Sequence, residues 1–126
     1  MNGRHDSKQV QTDDAWSDAL QLLQADLLRR GSAAKTRRAY GSDLQQFAAW
    51  AREQALTPVQ VTPRMLRRYM AGLSQMGAAP STGARKLAAL RALFASQREH
   101  GYMAENPAEL VSAPKAHAPL PRVLKQ

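Results

Sequence analysis

From Trp16 onward the apolar residues Trp16, Leu20, Leu23 and Leu27 recur every three or four positions, the spacing that lays them along one face of an α-helix. Thr12 is the expected cap, Asp13 and Asp14 suit the positive end of the helix dipole, and Arg29, Arg30 and Gly31 close the element. A second helix is predicted from a Ser32 cap to about Gln54, with Thr36, Tyr40, Leu44, Phe47 and Ala51 as its apolar stripe. Lys35, Arg38, Ser42, Gln45 and Ala49 fall on the reverse side, which is polar and basic. The stretch LTPVQVTP then breaks the period. Thr62 caps a third helix, Pro63 opens it, and Val61 can staple onto Leu66. That helix buries Leu66, Tyr69, Met70 and Leu73, turns Arg64, Arg67 and Arg68 to solvent, and runs to about Met76 before Gly77. The fourth is predicted from Ser81 to about His100, with Leu87, Leu90, Leu93, Phe94 and Gln97 inward and Gly101 as its stop.

Asn106 and Pro107 mark the start of a short fifth helix near 107–112. Residues 1–11 are polar and unpatterned and are expected as a flexible tail, whereas Pro114, Pro119 and Pro121 make 113–126 a linker. The expected fold is therefore all-α: a compact bundle of four main helices plus a short C-terminal one over residues 12–112.

Charge adds a direction to this picture. The chain of 126 residues carries a net charge of +8 with a pI near 10.6, but residues 1–31 hold four basic and five acidic side chains, and residues 32–126 hold fourteen and five. A domain this basic points first to nucleic acid, then to an anionic membrane or an acidic protein partner. No apolar run approaches the roughly 20 residues that span a bilayer, and no signal-peptide layout opens the chain, so a soluble, cytoplasmic protein without a membrane partner is expected. Cysteine is absent and His5, His100 and His117 lie far apart, so neither a metal nor another cofactor is expected. The motifs of nucleotide hydrolysis, zinc proteolysis and thiol catalysis are missing as well, leaving no small-molecule substrate in view.

Two helix beginnings stand out. SAAKTRRAY and PSTGARK each combine a hydroxyl, free backbone N–H groups and two or three cations within two turns, the combination a phosphate backbone binds. The flank of the fourth helix is nearly bare: Ser81, Arg85, Ala88, Ala89 and Ala92. Short side chains let a helix approach base edges in a major groove, with Arg85 and Lys86 reaching out; equally, they let it pack closely against another helix. A helical protein-interaction module meeting an acidic partner is the alternative that charge alone leaves open. A helix-turn-helix is disfavoured, because no helix pair is joined by the usual short glycine turn.

Four runs in order resemble the N-terminal core-binding domain of tyrosine recombinases, the phage-integrase family, and most closely its Xer branch. They are TRRAYGSDLQQFAAWAREQ (Thr36–Gln54), VTPRMLRRYMAGL (Val61–Leu73), APSTGARKLAALRALFASQREHGYMAENPAELVSAPK (Ala79–Lys115) and PLPRVL (Pro119–Leu124). The resemblance implies a SAM-like bundle forming one arm of a C-shaped clamp on double-stranded DNA, with other recombinase protomers as further partners. It implies contacts from Lys35, Thr36, Arg38, Ala39 and Ser42 on the second helix and Ser81, Thr82, Arg85, Lys86 and Ala89 on the fourth. Arg91 stands where such proteins often carry a basic residue that meets phosphate or a partner domain. Helical geometry agrees for Lys35, Arg38, Ser42, Ser81 and Arg85, whereas Thr36 also fits the core stripe and Lys86 lies at its edge. The family's catalytic residues belong to a second domain that would begin where the sequence stops, so the expectation is a non-catalytic part of a larger recombinase.

Overall fold

The structure, a computed structural model, describes residues 3–113, with side chains described at residue 12 and from 14 onward. Helix α1 runs Gly3–Arg29, α2 Ala34–Glu53, α3 Pro63–Gln75 and α4 Pro80–Glu99, with a 3-10 turn at Pro58–Gln60. Among the described residues all regular structure is helical, and α4 lies at the centre, touching α1, α2 and α3.

The apolar stripes fold as their spacing predicts. Trp16, Leu20, Leu23 and Leu27 of α1, Leu44, Phe47 and Ala51 of α2, Leu66, Tyr69 and Met70 of α3, and Leu87, Leu90, Leu93 and Phe94 of α4 are all buried. Phe47 is the hub of an aromatic cluster, its ring centroid 4.9 Å from Tyr69, 5.5 Å from Trp50, 5.6 Å from Trp16 and 6.5 Å from Phe94. Three of these four contacts are edge-on, the arrangement that the ring quadrupoles favour. The Trp16 indole N–H donates to the carbonyl of Leu56 at 2.7 Å, tying α1 to the loop beyond α2.

Helix ends depart from expectation more than helix bodies do. Thr12 is not a cap: it is buried inside α1, which begins nine residues earlier. Residues 4–11 contain no proline or glycine, so nothing interrupts a helix already nucleated by the Trp16–Leu27 stripe. Ser32 does not cap α2, because the cap position falls to Ala33, and the Ser32 carbonyl instead accepts from the Arg37 guanidinium. Ser81 does not cap α4 either. Pro80, with its φ preset for the first helical position, moves the start forward and makes Ala79 the cap. Thr62 does cap α3, its hydroxyl accepting from the Met65 N–H at 3.2 Å. Gly31, Gly77 and Gly101 take positive φ after α1, α3 and α4, while α2 ends through Ala55 at φ 57, a conformation an alanine adopts only under constraint.

The expected fifth helix is a run of turns over Pro107–Leu110. Asn106 shapes it by accepting from the Ala108 N–H at 2.9 Å and donating to the carbonyl of Arg91 at 3.1 Å. Arg91 clasps the same segment from α4, donating to the carbonyls of Ala108 and Val111. The proposed linker lies beyond Ala113, outside the described residues.

One polar knot links the ends of α1 and α4. Asp26 is wholly buried, and its carboxylate accepts from Ser96 Oγ at 2.7 Å, from Arg29 at 2.9 Å and faces His100 Nε2 at 3.1 Å. Burial pushes this carboxyl up, but the donors from Ser96, His100 and Arg29 outweigh it and bring the group down from 3.8 to about 2. Because the folded value lies below the unfolded one, the stabilisation is complete above about pH 5. It is lost as pH falls through 4 towards 2, and amounts to about 2 kcal/mol. Urea titrations at stepped pH should show this acid-side loss, and Asp26→Asn should flatten it; an unchanged slope in the variant would exclude Asp26 as its source.

Candidate nucleic-acid interface

The first half of α2 turns Lys35, Thr36, Arg38 and Ser42 outward, with Ala39 half-buried beside them. Thr36, which the sequence fitted to two faces, is exposed, and the inward stripe starts only at Tyr40. Gln45 and Ala49 continue the exposed side. Neither α2 nor α4 has a side-chain cap or an acid in its first turn. The N–H groups that open a helix have no intrahelical partner, so both positive ends are left for an outside acceptor.

On α4, Ser81 is exposed, Thr82 is half-buried and Arg85 is about half exposed. The other three sequence candidates have different employment. Lys86 does not reach out: it is buried, its Nζ donating to Asp43 Oδ1 at 3.0 Å and to Gln46 Oε1 at 2.7 Å. Ala89 is wholly buried, and Ala92 packs against the core. Ser96, one turn on from Ala92, is buried against Asp26. The bare flank is thus mostly a packing surface, because small residues are what let the central helix sit close to its neighbours. Arg91 is held by the carbonyls of the 108–111 turn, as described above.

Asp43 joins the two helix beginnings. It is buried on α2, and Arg85 grips it with two parallel bonds, Nε to Oδ2 at 2.8 Å and Nη2 to Oδ1 at 2.9 Å. Burial pushes the carboxyl up, yet the bonds and charges of Arg85 and Lys86 more than reverse this and hold it below the ordinary range. At 1.5 Å rise per residue the cross-link lies about 13 Å along α2 and about 8 Å along α4, so with the side-chain bridge added the two starts stand within about 30 Å of each other.

Sequence reading missed the Asp26 knot and the structural role of Arg37. Asp26 sits one residue before Leu27 on the apolar side of α1, a local sign that a charge is buried, but its partners are 70 and 74 residues away. Asp26, Glu99 and His100 bring one ligand atom each within 4.8 Å of one another. Asp26 also accepts from Ser96 and pairs with Arg29 and His100, and Glu99 pairs with Arg30 at 2.9 Å. No helix among the described residues is long and apolar enough to cross a membrane.

The family model of the phage integrase N-terminal SAM-like domain matches residues 20–101. Among curated proteins, the tyrosine recombinase XerD of Caulobacter vibrioides is 30% identical over 113 residues, covering 90% of this chain and 36% of that protein. XerC of Thermodesulfovibrio yellowstonii is 34% identical over 97 residues, 77% of this chain and 31% of the relative. XerC of Mycobacterium tuberculosis is 35% identical over 99 residues, 79% and 33% respectively. The chain therefore spans about a third of the length of these relatives. The comparison with solved structures returned no match. The matched span runs from Leu20 in α1 to Gly101 just beyond α4 and takes in both uncapped helix beginnings and their Asp43 cross-link: the chain belongs to the phage integrase N-terminal SAM-like domain family.

Proposed function

We propose that this chain binds duplex DNA as the non-catalytic N-terminal clamp domain of a site-specific tyrosine recombinase acting in DNA integration or recombination. The observation that carries the reading is the pair of uncapped, acid-free helix starts, with Lys35 and Arg38 exposed on α2 and Arg85 about half exposed on α4. Helix starts take phosphate and carboxylate alike, so the match to the phage integrase N-terminal SAM-like domain is what favours a duplex over an acidic protein partner. Lys35, Thr36, Arg38 and Ser42 contact one stretch of the duplex and Ser81, Thr82 and Arg85 another, with Ala39 close by. Lys86 and Ala89 support this surface from behind, and Arg91 holds the chain's exit. Other protomers are the second partner: a groove of about 730 Å³ lined by Ala15, Ala19 and Leu22 of α1 with Pro58, Val59 and Tyr102 offers apolar surface for them.

Most of the affinity is electrostatic. With about six phosphates neutralised, log K falls with log salt at a slope of about −5, and a single arm of a clamp binds at about micromolar levels. Fluorescence anisotropy against a random duplex at low salt tests this. Lys35→Ala should weaken cognate and random duplexes alike and reduce the slope by about one. Absence of binding at low salt, or a slope near zero, would reject the proposal.

A further inference from the structure

A guanidinium offers two parallel pairs of N–H donors, one along its side from Nε and Nη2, the other at its end from Nη1 and Nη2. Asp43 occupies the side pair of Arg85. Two parallel bonds leave no rotation about either, so the plane of the guanidinium and the direction of its end pair are both fixed. The carboxylate is itself immobilised, because Oδ1 also accepts from Lys86, whose ammonium is anchored on Gln46 one turn along α2. The acid and the lysine are thus held below the surface, whereas the end pair belongs to a side chain still 49% exposed.

This arrangement is odd for a surface whose only task is attraction. A carboxylate next to the duplex repels it, and half of the charge of Arg85 and Lys86 is cancelled locally. What the carboxylate supplies is direction. An end fork with one N–H from each of two nitrogens matches the two acceptors that guanine shows in the major groove, O6 and N7. Resting on the duplex-binding reading above, we propose that Asp43 is a positioning residue that aims the outer fork of Arg85 at a guanine edge. It sets base preference at one position and adds nothing to overall affinity.

The test uses the double variant Asp43→Asn/Lys86→Met, which keeps the net charge and leaves no buried charge alone. Selection of bound duplexes from a randomised library identifies the preferred position, and anisotropy then compares duplexes that differ there by one base pair. Wild type should favour guanine by about tenfold. Arg85→Ala and the double variant should both fall below about twofold at that position, while the double variant keeps its random-duplex affinity within about twofold of wild type. Asp43→Glu, which keeps the charge but displaces the fork by one methylene, should lose the preference too and guards against misfolding of the double variant. Retention of the guanine preference in folded double variant or in Asp43→Glu overturns the proposal. So does an Arg85→Ala variant that weakens every duplex equally, since Arg85 would then sit on phosphate. Failure of wild type on the random duplex would overturn the duplex-binding reading itself, and that arm reports it separately.

Discussion

Asp43→Ala on its own should cost about 3–5 kcal/mol of folding stability, because it leaves the Lys86 ammonium buried with only Gln46 for a partner. Removing both charges together, as in Asp43→Asn/Lys86→Met, should cost far less, since the desolvation of each ion disappears with the ion. Urea unfolding of the two variants gives the comparison directly. The larger loss must belong to the single variant. If Asp43→Ala unfolds within about 1 kcal/mol of wild type, Lys86 has found water and the buried ion pair carries none of the stability assigned to it.

Phe47→Ala should be as damaging, about 3–5 kcal/mol, for a different physical reason. Phe47 is 1% exposed and meets four other aromatic rings, contributed by α1, α2, α3 and α4. Truncation removes the transfer free energy of a benzyl group and leaves a void that four helices would have to close at once, which a close-packed core resists. Phe47→Leu fills most of that void and should recover at least half of the loss. A calorimetric melt in which Phe47→Ala unfolds within a few degrees of wild type would show that the rings do not share one cooperative core.

The four helix bodies were legible in the sequence because helical periodicity is a local signal, and most of each stripe is buried as its spacing requires, with Tyr40 and Leu73 half-buried. Thr36 and Lys86 show the limit of that signal: both sit at the margin of a stripe, yet Thr36 is exposed and Lys86 is buried. Caps were misread at Ser32 and Ser81 for a related reason: a hydroxyl near a helix start is only a candidate, and the cap falls one residue later on α2, at Ala33, and two residues earlier on α4, at Ala79. The basic face of α2 could be read from the sequence, but the state of the cations on α4 could not. Arg85 and Lys86 meet Asp43 across 42 and 43 residues, and nothing local distinguishes a lysine that will be buried against an acid from one that will stand in solvent.

The clasp of Arg91 and Asn106 on the 106–111 turn also has a mechanical consequence. Backbone leaving α4 is strapped back onto the flank of that helix by the bonds of Arg91 and Asn106. Residues 100–113, which would otherwise be slack, are converted into a bracket fixed to the central helix. Cutting the strap, for instance at Arg91, would release this bracket without altering a single group on the surface assigned to the double helix.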